Sequence, residues 1–232
     1  MTEIFAHRGL HTIEPENTVA AFLEARAAGV DGVELDVRRT SDGALVIHHD
    51  AEVAGVGLIS AVQCQKLPHG LATLAEAMTA CSGLRVNVEI KNDPREAGFD
   101  PSGALAAQIV TELGEMDWLD SVIISSFDLA TCQAVRRSDP QVLVGWLLDW
   151  RHEAELAISV AMDSGLNAVH PFFQRVSQQL VADAHRGGMA VNVWTVNAVE
   201  DMGQMFDWDV DSLITDLPAE AIAVRTAHLL RS

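Results

Sequence analysis

Positive charge is scarce in this sequence. Lysine and arginine together number 15 against 33 aspartates and glutamates, which gives a formal net charge of −18. A chain this acidic repels nucleic acid and anionic membranes, so we expect neither to be a partner. An anionic substrate would meet the same repulsion, and its binding would require positive side chains gathered locally.

Long apolar runs, a secretory leader and paired cysteines are also missing. No segment approaches the roughly 18 uninterrupted apolar residues of a membrane-spanning helix. Met1–Gly9 has neither the basic nor the apolar region of a signal peptide. Cys64, Cys81 and Cys132 are odd in number and lack CxxC spacing, which favours reduced thiols. The sequence therefore predicts a cytoplasmic protein without a membrane span.

The sequence does contain a regular alternation of two patterns. Short runs rich in valine and isoleucine alternate with segments whose apolar residues recur at helical spacing. The predicted strands are Ile4–Ala6, Gly32–Val37, Val86–Ile90, Val122–Ser125, Val142–Leu147, Ala168–His170, Ala190–Val193 and Ser212–Ile214. The predicted helices are Thr18–Ala28, Thr73–Ala80, Gly103–Leu113, Leu129–Ser138, Glu153–Asp163, Ser177–Arg186, Val199–Phe206 and Pro218–Leu229.

Eight strands that alternate with eight helices favour a parallel sheet. The count and the length favour a closed (β/α)8 barrel, the TIM barrel, with residues 1–232 as a single domain. An open doubly wound sheet is the alternative. Ala44–His48 follows a turn and is predicted to form a small hairpin. The irregular segments Ala51–Leu71, a short insertion after the second strand unit, and Asp93–Pro101 should lie at the carboxyl ends of the strands, where barrel active sites are found.

Acidic residues lie on two of the predicted strands. Glu34 and Asp36 are two positions apart, so an extended chain points both side chains to one face. Glu89 ends the next predicted barrel strand and would supply a third carboxylate. Carboxylates this close repel one another unless a cation lies between them, and oxygen ligands without cysteine favour Mg²⁺ or Ca²⁺ over Zn²⁺. The sequence therefore predicts a divalent metal site.

Two histidines lie near these carboxylates in the predicted strand order. His7 ends the first predicted strand, and His49 follows the hairpin run. Imidazole groups titrate near neutral pH, so two of them can take one proton from a nucleophile and give another to a leaving group. His7 and His49 are therefore the candidate acid–base pair. Arg8 and Lys91 are the candidate phosphate contacts, because they would offset the acidic background locally.

Other polar and aromatic residues have less specific interpretations. Trp194 either offers a flat apolar wall to the carbon face of a polyol or packs in the core. His170 is expected to face the same end of the barrel as a secondary pocket residue. Pro15–Thr18 precedes the first helix and is interpreted as mainly structural, with Asn17 or Thr18 as N-cap. The remaining histidines are expected to be ordinary core or surface residues: His11, His48, His69, His152, His185 and His228.

Ordered sequence blocks extend from the first predicted strand to the seventh. They are His7-Arg8-Gly9, PENT at Pro15–Thr18, Ala21-Phe22 and Ala25, GVELDVRRTSDG at Gly32–Gly43, VIHHD at Val46–Asp50, VNVEIK at Val86–Lys91, ISSF at Ile124–Phe127 and VWTVN at Val193–Asn197. In this order they resemble the glycerophosphodiester phosphodiesterase family, and they span most of the chain.

The resemblance implies a (β/α)8 barrel that hydrolyses glycerophosphodiesters with the help of a metal. Glycerophosphocholine and glycerophosphoethanolamine are such substrates, and the products are sn-glycerol 3-phosphate and an alcohol. By motif position, the resemblance also implies three kinds of site residue: the acid–base pair His7 and His49, the metal ligands Glu34, Asp36 and Glu89, and the substrate contacts Arg8, Lys91 and Trp194.

One segment departs from the family pattern. Many members follow His-Asp with a leucine, an Arg-Thr-Thr run and a long insertion that caps the site. Here Asp50 is followed by AEVAGVGLISAVQCQKLPHGLATL, which is short and lacks Arg-Thr-Thr. A reduced cap and a more open site are therefore expected, and the preferred alcohol headgroup stays open.

Two alternative functions remain at this point. The same barrel and metal site would also suit lysophospholipids or another phosphodiester, with Phe172, Phe173 and Trp194 beside the acyl chain. A phosphoester-binding barrel that has lost catalysis is the alternative from another class. The sequence leaves open the oligomeric state, the choice of metal and which histidine acts first as base.

Overall fold

The strand-like and helix-like runs of the sequence form regular elements in the computed structural model, which describes residues 1–231 apart from the side chains of residues 154 and 155. The strands within that range are β1 (Glu3–His7), β2 (Gly32–Arg39), β3 (Leu45–Ile47), β4 (Glu52–Val53), β5 (Gly57–Leu58), β6 (Arg85–Ile90), β7 (Val122–Ser126), β8 (Leu143–Leu148), β9 (Ala168–Pro171), β10 (Ala190–Val193) and β11 (Ser212–Thr215). The helices are α1 (Val19–Ala28), α2 (Leu74–Ala80), α3 (Ala104–Glu115), α4 (Leu129–Ser138), α5 (Ala154–Asp163), α6 (Gln178–Arg186), α7 (Val199–Asp207) and α8 (Pro218–Leu229). Each of these helices is too short or too polar to cross a lipid bilayer.

The pairing of β1 closes the sheet. This strand pairs in parallel with β2 on one side and with β11 on the other. The other barrel strands lie between those two in the order β2-β6-β7-β8-β9-β10-β11, and every pair is parallel. The predicted (β/α)8 barrel is confirmed, and the open-sheet alternative is wrong because the two ends of the sheet are joined through β1.

The predicted hairpin and the short insertion lie next to β2. β3 pairs antiparallel with the end of β2, with Ile47 opposite Val37. The insertion contains the two-stranded sheet of β4 and β5, and its apolar residues pack in a small cluster with Val46 of β3. Its residues Ala51 and Ser60 line a cavity together with Lys91, so the insertion lies at the carboxyl ends of the barrel strands, as expected.

Residues of the barrel strands alternate between two environments. On β2, Val33, Leu35 and Val37 are fully buried in the main apolar core, together with helix residues such as Phe22 and Met78. This core lies between the strands and the helices, and at about 25 cal/mol per Å² of buried apolar surface it supplies the main driving force for folding. The intervening positions of β2 therefore point toward the barrel axis.

The inward positions of three later strands carry a polar network. Asn192 donates from Nδ2 to Nε2 of the completely buried His170 at 2.9 Å, and Ser212 donates from Oγ to Asn192 Oδ1 at 2.8 Å. Burial lowers the pKa of His170 to about 3, so its ring is neutral at physiological pH. The ring faces a cavity of about 770 Å³ at the amino ends of the strands. The expectation that His170 serves a pocket at the carboxyl ends is wrong, because Gly145 leaves room for the ring inside the barrel.

We expect Gly145→Ala to destabilise the protein. A Cβ at this position would lie 2.2 Å from His170 Nε2, and that ring is held by Asn192 in a fully buried site. Overpacking of this kind lowers the free energy of unfolding by about 1–3 kcal/mol. Urea denaturation measures the change.

Gly203 in α7 provides the matched control. Nothing lies within 4 Å of the Cβ that an alanine would add there. Gly203→Ala should therefore raise the free energy of unfolding by about 0.5–1 kcal/mol, since alanine favours the helix more than glycine does. Similar effects of the two substitutions would contradict the packing argument.

Candidate active site

The register of the first barrel strands brings the predicted site residues together. His7 on β1 lies beside Glu34 on β2, and Asp36 on β2 lies beside Glu89 on β6. Ligand atoms of Glu34, Asp36 and Glu89 all lie within 4.8 Å of one another, and all three residues are buried. The structure therefore brings the three predicted metal ligands into one acidic cluster. The cluster lies at the carboxyl ends of the barrel strands, and we call this end of the barrel the barrel mouth.

Two basic residues contact this acidic cluster. Lys91 Nζ lies 2.8 Å from Glu89 Oε1 and 3.6 Å from Asp36 Oδ1. Arg8 Nε lies 3.3 Å from Asp36 Oδ2, and the Arg8 backbone N–H donates to Glu34 Oε2 at 3.1 Å. The predicted phosphate contacts thus lie at the cluster, where they offset part of its charge.

Burial and mutual repulsion act differently on the carboxyls. Burial raises the pKa of Glu34 well above its ordinary value, and the charges of Asp36 and Glu89 raise it further. Burial alone would also raise the pKa of Asp36, but the ammonium of Lys91 and the guanidinium of Arg8 outweigh it and hold that pKa below its usual range. Charge is therefore poorly compensated at Glu34 and well compensated at Asp36.

The donor set of this cluster suits a hard divalent cation. Glu34 Oε1 and Asp36 Oδ1 are buried and accept no hydrogen bond from the residues described. Such atoms are costly to bury unless a donor or a cation satisfies them. Three carboxylates offer only oxygen ligands, which Mg²⁺ and Ca²⁺ prefer. The cluster is thus a fitting metal-binding site.

The segment before α1 contacts the cluster directly, which the sequence interpretation missed. Asn17 donates from Nδ2 to Asp36 Oδ2 at 2.8 Å, and Glu16 Oε1 accepts from Arg8 Nη1 at 2.8 Å. Thr18 is the N-cap of α1, as expected, and its side chain accepts from the backbone N–H of Ala21. Besides shaping the start of α1, the segment thus contacts the site through Asn17 at Asp36 and through Glu16 at Arg8.

His7 is held by an aspartate that the sequence interpretation also missed. Its Nδ1 lies 2.6 Å from Asp216 Oδ1, and Asn197 donates from Nδ2 to Asp216 Oδ2 at 2.7 Å. Partial burial would raise the pKa of Asp216, but hydrogen bonds from His7, Asn197 and His11 outweigh it and keep that pKa well below its usual range. A carboxylate only accepts hydrogen bonds, so a neutral His7 carries its proton on Nδ1. Its Nε2, 3.9 Å from Glu34 Oε2, then offers a lone pair to the site.

His49 also lies near the cluster, since it lines one cavity together with Glu89. Its Nδ1 lies 2.7 Å from Asp50 Oδ1, so a neutral His49 also carries its proton on Nδ1. His49 is one of the groups that lower the pKa of Asp36, which reflects its nearness to the carboxylates. Both predicted acid–base residues therefore adjoin the acidic cluster, each with its outer nitrogen bound by an aspartate.

A cavity of about 420 Å³ opens beside Glu89 of the cluster. It is lined by His49, Glu89, Lys91 and Trp194, together with residues of the irregular segment after β6. The half-buried Trp194 donates from Nε1 to the carbonyl of His170 at 2.7 Å and packs edge-on against Phe127, with ring centroids 5.4 Å apart. The indole is thus a fixed wall of the cavity and not a part of the apolar core.

Comparison with known proteins agrees with this geometry. Residues 7–220 match the glycerophosphoryl diester phosphodiesterase family. A glycerophosphodiester phosphodiesterase from Caldanaerobacter subterraneus subsp. tengcongensis is 31% identical over 241 residues, which cover 95% of this chain and 96% of that protein.

Two solved structures have the same fold. A glycerophosphodiester phosphodiesterase from Parabacteroides distasonis has a TM-score of 0.86 at 25% identity, covering 99% of this chain and 98% of that one. An Oleispira antarctica phosphodiesterase, in complex with the product sn-glycerol-3-phosphate, has a TM-score of 0.81 at 21% identity and covers 97% of both chains. Because the family match extends over most of the sequence and a relative above 30% identity spans nearly all of it, the chain belongs to the glycerophosphoryl diester phosphodiesterase family of enzymes.

Proposed function

We propose that the protein hydrolyses glycerophosphodiesters to sn-glycerol 3-phosphate and an alcohol. In this proposal Glu34, Asp36 and Glu89 bind Mg²⁺ or Ca²⁺, while His7 and His49 exchange protons with the substrate. The observation that carries the proposal is the convergence of three buried carboxylates and two aspartate-bound imidazoles at one barrel mouth. Such a convergence has no role in packing a barrel, since burying the same groups apart would cost less.

The charge count at the cluster explains why a cation is needed for an anionic substrate. When all three carboxyls are ionised, as ligands of a cation would be, Lys91 and Arg8 leave the cluster with a net charge of about −1. A divalent cation would make the site positive, so a phosphodiester anion would be attracted despite the acidity of the chain. When bound, such a cation would also stabilise charge on the phosphate and make a nearby substrate hydroxyl more acidic.

The chain's own residues supply the proton transfers. In the first half of the reaction, one imidazole takes the proton of the glycerol 2-hydroxyl as its oxygen attacks phosphorus, and the other protonates the departing alkoxide. In the second half a water opens the cyclic phosphate, and the two imidazoles exchange roles. Asp216 and Asp50 keep the outer nitrogen of each ring protonated, so that the inner nitrogen is free to accept a proton.

Arg8 and Lys91 would hold the phosphate, and Trp194 would face the carbon skeleton of the glycerol. The planar guanidinium of Arg8 can donate to two phosphate oxygens at once. Trp194 is already fixed by its hydrogen bond to the His170 carbonyl, so it offers a rigid apolar surface. Residues 1–232 would carry out this reaction as a single domain, and the cytoplasmic location stays a prediction of the sequence.

Lysophospholipids are the second candidate substrate. Phe172 and Phe173 pack against each other with centroids 5.0 Å apart, and Phe172 lies 5.5 Å from Trp194. Both phenylalanines are half-buried, so they present apolar surface beside the cavity. An acyl chain would bury this surface, whereas a water-soluble headgroup would leave it exposed.

We expect Glu34→Gln to stabilise the metal-free protein. In excess chelator at pH 7, the variant should melt at a higher temperature than the wild type, because it removes a carboxyl whose ionisation folding disfavours and keeps an oxygen for the Arg8 N–H. Folding raises the pKa of Glu34, so the folded wild type binds this proton more tightly and regains stability as the pH falls through that pKa. The difference in Tm should therefore narrow on acidification.

Glu115→Gln is the control for this comparison, since Glu115 is an exposed residue at the end of α3. It should change the Tm little at any of these pH values. Added Mg²⁺ or Ca²⁺ should raise the Tm of the wild type and of the control, but not that of Glu34→Gln. A Glu34→Gln protein that melts below the wild type in chelator would contradict the charge argument.

His7→Ala and His49→Ala should each slow hydrolysis by about 10²–10⁴-fold, the usual contribution of a general acid or base. Both rings are partly exposed, so the Tm should stay near that of the wild type. His48→Ala is the matched control, because His48 is the neighbour of His49, and its ring contacts the Asp50 carbonyl while its backbone N–H, which alanine keeps, donates to the carbonyl of Asp36. Wild-type turnover in either variant would exclude that histidine from the reaction.

Chelation should abolish activity, and Mg²⁺ or Ca²⁺ should restore it. Release of glycerol 3-phosphate from glycerophosphocholine, measured with each cation, tests the proposed function. Turnover of lysophosphatidylcholine under the same conditions tests the second candidate. Full activity in excess chelator would remove the metal from the mechanism, and no release of glycerol 3-phosphate with either cation would refute the main proposal.

A further inference from the structure

A second group of metal-ligating side chains lies beside the carboxylate cluster. Ligand atoms of His7, His11 and Asp216 lie within 4.8 Å of one another. Asp216 Oδ1 is 2.6 Å from His7 Nδ1 and 3.3 Å from His11 Nε2, so one carboxylate oxygen faces both rings. We infer that these three side chains form an inhibitory Zn²⁺ site, separate from the Mg²⁺ or Ca²⁺ site of the proposed function.

The ligand atoms of His7, His11 and Asp216 include nitrogen, whereas the carboxylate cluster offers only oxygen. Two imidazole nitrogens and one carboxylate oxygen are the ligands of many open zinc sites, in which water completes the coordination. Mg²⁺ and Ca²⁺ prefer sites made of oxygen alone, as in the carboxylate cluster. The two adjoining sites would therefore separate cations by their preference for nitrogen or oxygen ligands.

The structure holds Asp216 close to the spacing from each histidine that Zn²⁺ requires. The register of β1 with β11 places Ala6 beside Thr215, so the next residues, His7 and Asp216, lie side by side. Two ligand atoms at about 2.0–2.1 Å from a tetrahedral Zn²⁺ are about 3.3 Å apart. The contact between His11 and Asp216 already has this length, at 3.3 Å, and the shorter contact of His7 needs to open by less than about 1 Å.

Asn197 prepares the carboxylate, and solvent reaches the group. Asn197 binds Asp216 Oδ2 at 2.7 Å, which leaves Oδ1 turned toward the two rings. A hydrogen bond of this kind to a ligand's second oxygen increases metal affinity. The side chains of His7, His11 and Asp216 are 19%, 23% and 31% exposed, so a hydrated cation can reach them without any opening of the barrel.

Zinc bound to these three side chains would prevent His7 from acting as a base. The inhibitory effect therefore rests on the proposed function, in which His7 exchanges protons with the substrate. A neutral His7 bound to Asp216 carries its proton on Nδ1 and has a lone pair on Nε2. When Zn²⁺ takes the Nδ1 lone pair, the one ring proton moves through solvent to Nε2, and no proton is gained or lost. Nε2 then has no lone pair, so His7 cannot accept a proton from the substrate. Both halves of the reaction together require each histidine to act once as base, so turnover stops.

Zinc binding is tested first without substrate. The whole chain, in excess Mg²⁺, competes with a chromophoric zinc chelator for Zn²⁺. We expect one Zn²⁺ per wild-type chain and at least about tenfold weaker binding by His11→Ala and by His11→Asn. The second variant guards against a folding defect of the first. His185→Ala is the matched control, because His185 also contacts an aspartate, Asp211, at 2.8 Å but belongs to no three-ligand group among residues 1–231.

Inhibition is tested next with glycerophosphocholine. Wild-type turnover in excess Mg²⁺ should fall as the site fills, whereas His11→Ala should keep its activity over the same range of Zn²⁺. Unchanged Zn²⁺ affinity in both His11 variants, or equal inhibition of His11→Ala and the wild type, would overturn the inference and assign the effect to the carboxylate cluster. Because the chelator measurement needs no turnover, a chain that binds Zn²⁺ through His11 but hydrolyses no diester would refute the proposed function and leave the zinc site standing.

Discussion

Three carboxylates held within 4.8 Å of one another in a buried site are the feature on which the rest of this barrel mouth depends. Burial makes their repulsion severe, because water no longer screens it. The surrounding residues answer that repulsion one at a time. Lys91 lies against Glu89, Arg8 and Asn17 bind Asp36, and the Arg8 N–H binds Glu34. The compensation remains incomplete at Glu34, and this residual cost is what a divalent cation would relieve.

The acidity of the whole chain matters less to the site than these local charges. Exposed charges farther away than about 8 Å are largely screened at physiological ionic strength, whereas a buried group is not. Two basic side chains inside the mouth therefore count for more than the net charge of −18. The same reasoning applies to His7 and His49, whose rings respond to the aspartate that each contacts more than to distant charges on the surface. The nearest fixed charge decides the tautomer of each ring.

The fold could be predicted from the sequence because its barrel strands are buried on both faces. Buried parallel strands appear in a sequence as short runs rich in valine and isoleucine, and these runs mark the barrel strands to within a few residues. The acidic cluster could also be predicted from the sequence, since an i, i+2 spacing on a strand places Glu34 and Asp36 on the same face. Strand periodicity and strand order thus carry most of the information about the acidic cluster.

The missed residues depend on contacts that periodicity does not encode. Asp216 follows the last strand and meets His7 across a separation of 209 residues, which only the closure of the barrel brings about. Asn17 adopts a left-handed backbone with φ of +59°, an uncommon conformation that aims its amide at Asp36. His170 turns into the barrel because a glycine on the adjoining strand leaves space there, and no local pattern reports such a space.

The pairing of the first strand with the last has a consequence for the chain as it leaves the ribosome. The residues of the acidic cluster all lie in the first half of the polypeptide, so they emerge from the ribosome early. The aspartate that orients His7 emerges among the last residues. A nascent or truncated chain that ends before β11 would lack this partner and one of the two neighbours of β1. Such a chain would contain the acidic cluster and both histidines, but His7 would have no aspartate to orient its ring until the barrel closes.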